Sequence, residues 1–287
     1  MPIVALTDVV GPAAKARYGV PAINVLNDLT LEGVLAGAVE ARSPIIVQTS
    51  VKTVRSIGSD VLFAMWTAMT RGIEVPVVLH LDHCPDRAVI TECLERGWNS
   101  VLFDAHSLSL DENQRQTVEV VAEARRTGAH VEGEIEGIGV EDGVGSEAVG
   151  PDGRLAVERQ VEFVRATGID VFAPAIGNAH GQYASAPTLE SDKVSAIVEA
   201  TGVPVALHGG TGLSTEQFHD LIARGCAKVN ISTGLKERYM RSSLDFLRGA
   251  EAESRWDPPS LFTAVQADVV AFTRNLCETF GSAGRAA

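Results

Sequence analysis

The feature that most constrains this chain is an alternation repeated along almost its whole length. A short run rich in Val and Ile is followed by a longer amphipathic run, and the pair recurs eight times. The extended runs are "PAINVLN" (21–27), "PIIVQTS" (44–50), "PVVLHLDH" (76–83), "SVLFDAH" (100–106), "AHVEGEIE" (129–136), "IDVFAPAIGN" (169–178), "VPVALHGG" (203–210) and "CAKVNIST" (226–233). Between them lie runs with apolar residues at helical spacing: 29–42, 59–72, 86–97, 110–128, 156–168, 189–202 and 214–225, with another from 234. A Gly-rich loop spans 137–154, and the remainder after 260 reads as one more helix and a tail. Strictly alternating strands and helices imply a parallel sheet. Eight units in about 250 residues fit a closed (β/α)8 TIM barrel, here with an additional C-terminal helix and tail. An open doubly wound sheet would place a G-x-G-x-x-G turn after the first strand, and "NVLNDLT" has none. No linker divides the chain, so residues 1–287 are expected to form one domain.

Composition excludes several functions. The 287 residues are 45% hydrophobic, enough for a large core, and carry a formal net charge of −13. There is no Lys/Arg run to engage nucleic acid. No window approaches the roughly 18–20 apolar residues of a membrane-spanning helix. The N-terminus "MPIVALTDVV" lacks the basic region and cleavage site of a signal peptide. Cys84, Cys93, Cys226 and Cys277 are scattered and form no Cys-x-x-Cys pair, which suits reduced thiols and a cytoplasmic location.

In such a barrel the active site forms at the carboxyl ends of the strands. Polar groups concentrate there: Asn24 and Asn27, Gln48 to Ser50, Asp82 and His83, Asp104 and His106, Glu132, Glu134 and Glu136, Asn178 and His180, His208 to Gly210, and Asn230, Ser232 and Thr233. Merely solvated strand ends would be polar at both ends, yet the opposite ends are mostly Pro, Gly and Val. A single histidine near a strand end is more often a hydrogen-bonded structural residue. Three at one rim, His83, His180 and His208, point to a metal. Three imidazoles with an open position are a usual catalytic zinc arrangement, and the same ligands admit cobalt, iron or manganese. Asp82 is then free for proton transfer. His80 lies earlier in its strand and is expected to be structural; His106, His130 and His219 have no comparable grouping. A second constellation is "HGGTG" (208–212) with "NIST" (230–233), whose backbone N–H groups and hydroxyls suit a phosphate on the loops after strands seven and eight.

These residues resemble the class II, metal-dependent ketose-bisphosphate aldolases, which include fructose- and tagatose-bisphosphate aldolases. The resemblance runs through "NVLN", "SPIIVQTS", "HLDH", "GWNSVLFDA", "VEGEIEGIGVEDG", "AIGNAHGQY", "LHGGTGL", "AKVNISTGLK" and "FGSAGRA", in order and across nearly the whole chain. It implies that His83, His180 and His208 hold a catalytic Zn2+, and that Asp104 and Glu134 form an alternative or second cation position, divalent or monovalent. It further implies Asp82 as the acid/base on the aldehyde-side hydroxyl and Glu141 as the base for the carbon proton. Gly181, Gly209, Gly210, Thr211, Asn230, Ser232 and Thr233 would hold the dihydroxyacetone-phosphate end, Asn24 and Ser50 would line the sugar chain, and Arg285 would meet a second phosphate. The implied partners are a small phosphorylated ketose and a second copy of the chain, as a homodimer or homotetramer.

The sequence departs from the family pattern at Cys84 after "HLDH", at His106 in "DAHS", in a strand-five loop one residue short, and in "NISTG", which lacks an acidic residue. The departures count against the glycolytic fructose substrate and for a rim adapted to another aldehyde. The expected reaction is retro-aldol cleavage, and its reverse, of a phosphorylated ketose. Three rivals make different demands. A Schiff-base aldolase needs a strand lysine, for which Lys228 is the only strand-eight candidate. A metal-dependent barrel hydrolase usually carries an early His-x-His and an Asp after strand eight, and neither is present. A non-catalytic or chaperone-like subunit of a tagatose-type aldolase would not need Asp82 and three histidines intact.

Overall fold

A computed structural model describes residues 3–138, 154–183 and 185–286. Eight parallel strands close into a barrel in sequence order: β1 (Val20–Asn24), β2 (Ile45–Ser50), β3 (Val77–Cys84), β4 (Ser100–Asp104), β5 (His130–Glu134), β6 (Val171–Phe172), β7 (Val205–Leu207) and β8 (Cys226–Ile231), with β8 pairing β1. Helices α2 (Asp28–Ala41), α4 (Ser59–Met69), α5 (Arg87–Arg96), α6 (Leu110–Thr127), α7 (Val157–Thr167), α8 (Ser191–Thr201), α9 (Thr215–Arg224) and α10 (Thr233–Ala252) form the connections, and α11 (Pro258–Thr279) is the added C-terminal helix.

Side chains two apart on a strand face the same side, so each strand splits into two sets. Ile23, Ile45, Val47, Val77, Leu79 and Leu81 face outward and pack under the helices. Val20, Ala22, Ile46, Val78, Val171 and Ala206 face the axis. Along the inward set, character changes with height: Ala22 gives way to Asn24, Ile46 to Gln48 and Ser50, Val78 to His80 and Asp82. The apolar half is sealed by α1 (Leu6–Ala16), whose Leu6, Val9, Val10 and Ala13 recur at helical spacing and are buried against it. Each large apolar side chain so buried contributes roughly 1.5–3 kcal/mol.

One feature differs from the sequence expectation and two helices add to it. The helix α1 forms although Gly11 and Pro12 lie at its centre, because burial of its apolar face outweighs the missing backbone bond. The strand expected over 169–178 is only two residues long, because Pro174 has no N–H to donate and Gly177 turns the chain at φ +93°. A short helix, α3 (Val51–Ile57), also follows β2, capped by Ser50. The tail is pinned at the amino end of the barrel. Ser43 Oγ donates to Ser282 Oγ at 2.7 Å, and Gly284 N and Ala286 N donate to the carbonyls of Ala41 and Arg42, where α2 ends. No described helix is long and apolar enough to cross a membrane.

Candidate active site

Asp82 and His83 are neighbours on β3, so regular pleating would send them to opposite faces. The strand breaks register between Leu81 and Cys84, and His83 takes φ +44°, a left-handed conformation rare for a non-glycine residue. The bulge swings the imidazole of His83 back over the rim that Asp82 already faces. His180 arrives on the loop after β6 and His208 directly after β7. The three rings meet edge to face, with centroids 4.7 Å apart for His83–His180, 4.7 Å for His83–His208 and 5.7 Å for His180–His208. Their ligand-capable atoms lie within 4.8 Å of one another, and the same holds for His83, Asp104 and Glu134.

Hydrogen bonds fix which nitrogens face inward. His83 Nδ1 lies 2.8 Å from Asp104 Oδ2, and His208 Nε2 lies 2.6 Å from Glu132 Oε1. Each carboxylate accepts the proton of the far nitrogen, which leaves His83 Nε2 and His208 Nδ1 pointing at each other across 2.8 Å. Two nitrogen lone pairs converging at that distance suit a shared cation. Burial disfavours charge on His83, but Asp82, Asp104 and Glu134 outweigh it and push its pKa up to about 10, so the metal-free site keeps one proton in that place. Burial and the His83 charge hold His180 down at about 4, and burial followed by the His83 and Lys228 charges holds His208 well below the usual imidazole value. Both stay neutral, as ligands must.

Glu134 is buried, and among the described residues neither carboxylate oxygen receives a well-formed hydrogen bond, although the Ile138 N–H is near. Burial raises its pKa well above the carboxylate range. An orphaned buried carboxylate beside two other donors fits a second cation position. Asp104 Oδ1 also lies 2.5 Å from His106 Nδ1, so His106 grips Asp104 from the solvent side.

Asp82 accepts from Asn24 Nδ2 at 2.8 Å and from Asn230 Nδ2 at 3.2 Å. Burial opposes its ionisation, but His83, Lys228, His208 and the Asn24 bond together lower its pKa. It is held as a carboxylate with its face open to a small cavity. That cavity is lined by Asn24, Asp82, His180, Gly181, Gly209, Gly210, Thr211, Asn230, Ser232 and Thr233. All seven residues assigned from sequence to the phosphate end are therefore together. Gly209 sits at φ +65°, and a Cβ there would meet the Ala179 carbonyl oxygen at 2.1 Å. Only glycine lets these two loops touch. Thr211 Oγ1 accepts from Gly234 N at 3.1 Å, bringing the β7 loop to the N-terminus of α10, where free N–H groups favour an anion.

On the other side of Asp82 a second cavity is lined by Ser50, Lys52, Arg55, Asp82 and His83, among others. Ser50 is thus at the rim as expected. Arg285 is not. Its guanidinium stacks over the Tyr18 ring at 5.4 Å, just before β1 at the amino end, because the tail is bonded to the end of α2. Within this chain Arg285 therefore lies at the opposite end of the barrel from the cavity that Gly209 to Thr211 line. Glu141 lies outside the described residues.

Sequence reasoning missed several participants. Tyr183 accepts from Ala179 N at 3.0 Å and donates to Gly209 O at 2.8 Å, stitching the β6 and β7 loops. Glu132 and Lys228, both fully buried, form an ion pair at 2.8 Å beneath the histidines. The signal was available: Glu132 and Glu134 are two apart on a strand, so both face inward and both need partners. His80 is buried 2.7 Å from Ser100 Oγ, in the structural setting expected of it.

The structure thus sets three clustered histidines beside a glycine-lined cavity at the carboxyl end of a (β/α)8 barrel. The chain matches the model of the family described as "Fructose-bisphosphate aldolase class-II" over residues 4–285 and belongs to that family. It is 32% identical to the fructose-bisphosphate aldolase of Geobacillus stearothermophilus, covering 100% of both chains. It is 34% identical to the 6-phospho-5-dehydro-2-deoxy-D-gluconate aldolase of Shouchella clausii (strain KSM-K16), covering 100% of this chain and 97% of that one. The crystal structure of the YdjI aldolase from Escherichia coli K12 superposes with a TM-score of 0.86 at 29% identity, over 99% of this chain and 100% of that one. The chain is an aldolase, and these two of its relatives bear names for different substrates at nearly equal identity.

Proposed function

We propose that this enzyme carries out metal-dependent retro-aldol cleavage, and the reverse condensation, of a phosphorylated ketose to dihydroxyacetone phosphate and an aldehyde. The observation that carries the reading is the convergence of His83 Nε2, His208 Nδ1 and His180 beside the glycine-lined cavity, with Asp82 shared between the two. His83, His180 and His208 would hold Zn2+, and His83, Asp104 and Glu134 a second cation position. A bound zinc supplies Lewis-acid stabilisation of the negative charge that develops on the three-carbon half. Asn24 and Asn230 orient Asp82 so that a free carboxylate oxygen lone pair takes the C4 hydroxyl proton as the C3–C4 bond breaks. Glu141 is assigned the proton that returns to carbon. The loops bearing Gly181, Gly209 to Thr211, Ser232 and Thr233 bind the phosphate, and that remote binding energy fixes the reacting bond.

The aldehyde half would extend into the cavity beside Ser50. Arg55 there is paired with Asp86 at 2.7 Å, whereas Lys52 has no carboxylate partner among the described residues. A free cation at that place favours an aldehyde with an anionic end. The family's phosphorylated-sugar chemistry, the four buried unpaired cysteines and the absence of a basic run support a cytoplasmic enzyme of one domain with no nucleic-acid or membrane partner. Exposed Met240, Leu244 and Leu247, one helical stripe on α10, support self-association as a homodimer or homotetramer. A monomeric mass by light scattering at micromolar concentration would contradict that part.

The decisive assay measures cleavage of a panel of ketose 1-phosphates and bisphosphates, coupled to dihydroxyacetone-phosphate detection. Release from at least one member, abolished by a chelator, supports the reading. Dihydroxyacetone phosphate released by chelated enzyme, or a covalent adduct trapped by borohydride, favours a Schiff base at lysine instead.

A further inference from the structure

Beneath the three histidines lies a group of buried charges that the reaction does not itself consume. Lys228 on β8 and Glu132 on β5 are both 0% exposed and pair at 2.8 Å inside the barrel. Burying two charges costs several kcal/mol per ion unless their remaining hydrogen-bonding capacity is met, and an apolar pair would serve stability as well. This pair does not close on itself. The other Glu132 oxygen faces His208 Nε2 at 2.6 Å, and Lys228 Nζ also donates to Asn230 Oδ1 at 2.6 Å. Each arm ends on a group of the site. With its Nε2 proton held by Glu132, His208 presents an Nδ1 lone pair toward His83 Nε2. With its carbonyl held by Lys228, the Asn230 amide can present only its NH2 to Asp82, at 3.2 Å. Turned over, that amide would set an oxygen against the Asp82 carboxylate.

We propose that Lys228 and Glu132 are positioning residues of the aldol site. Through Glu132 the pair sets the tautomer of the ligand His208, and through Asn230 it sets the orientation of the acid/base Asp82. The proposal rests on the metal reading above. It gives the fully buried lysine, the one strand-eight candidate for a Schiff base, a different purpose.

The test is the double variant Glu132→Leu with Lys228→Met, which removes both charges at similar volume and so should fold with a melting temperature near that of the parent. Zinc affinity is measured on chelator-stripped protein by indicator competition, ligand geometry from the visible spectrum of the cobalt form, and kcat and KM on the best ketose phosphate. Zinc binding should weaken by about 10- to 100-fold, the usual cost of losing an outer-shell partner. The cobalt spectrum should shift, and kcat should fall by more than KM changes. Parental zinc affinity and cobalt spectrum in the double variant overturn the proposal, whatever the melting temperature. If the double variant does not fold, Glu132→Gln answers the same question: weaker zinc binding supports the role, and unchanged binding refutes it. Zinc affinity needs no substrate, so a parent that binds zinc but cleaves no ketose phosphate sinks the proposed reaction while leaving the positioning claim to be decided.

Discussion

The two ends of this barrel are built from the same eight strands and differ in what faces the axis. At the amino end the axis is filled by Val20, Ala22, Ile46 and Val78 and stoppered by Leu6, Val9 and Val10 of α1. Toward the carboxyl end the strands present Asn24, Gln48, His80, Asp82, Glu132 and Glu134, and Lys228 from lower on β8 reaches Glu132 and Asn230, all buried. The contrast shows a division of labour along each strand. The apolar half supplies stabilisation that a layer of buried charge cannot, and in the charged half Asp82, Glu132 and Lys228 are tied to groups across the barrel, while Glu134 is left without such a bond among the described residues. The left-handed His83 belongs to the same pattern, since local strain is kept only where surrounding structure enforces it.

Substitutions at the two ends should therefore fail in different ways. The largest effect is expected at the rim. His180→Ala leaves two imidazoles, so zinc content by elemental analysis should drop to background and cleavage with it; full metal occupancy in that variant removes His180 from the ligand set. Asp82→Asn should keep zinc and substrate binding while losing roughly two to four orders of magnitude in kcat, the range of a positioned acid/base. Loss of zinc from Asp82→Asn would mean that Asp82 is itself a ligand.

At the amino end the sign of the comparison reverses. Leu6→Ala opens a cavity under the barrel and should cost about 2–5 kcal/mol, read as a lower melting temperature, while zinc affinity and kcat stay at parental values. A tenfold fall in kcat for the folded variant would show that the two ends are not independent. The smallest effect is expected from Arg285→Ala, which loses a stacking contact worth about 0.5–1 kcal/mol. KM for phosphorylated substrates should remain within about twofold, and a tenfold rise would restore the phosphate role that the position of Arg285 argues against.

The comparison also explains what could be read from sequence. Fold class followed from the alternation of β-branched and amphipathic runs, a periodicity that burial imposes on every strand and helix. The gathering of Gly209, Gly210, Thr211, Ser232 and Thr233 around one cavity was legible because these glycines and hydroxyls occupy consecutive positions on two loops. The short β6 was not, since a hydrophobic run through Pro174 looks the same whether or not it pairs. The α1 stopper was hidden by Gly11 and Pro12, whose local preferences lose to tertiary burial. The Glu132–Lys228 pair was missed because its partners are 96 residues apart in sequence (132 to 228) and meet only once the barrel closes. The place of Arg285 within the chain was not legible for a related reason. A motif fixes residue types, while the position of a tail is decided by what it bonds to, here Ala41, Arg42 and Ser43.

The central claim is that the rim histidines make this a metal-dependent aldolase, with Lys228 excluded from covalent chemistry by its buried pairing. The most direct measurement is a zinc titration of chelator-stripped enzyme, following dihydroxyacetone-phosphate release from a ketose phosphate that the parent cleaves. The account predicts no activity without metal and recovery in proportion to added zinc, complete when His83, His180 and His208 are filled at one ion per chain. Full activity in the stripped protein, together with inactivation by borohydride in the presence of substrate, would contradict it.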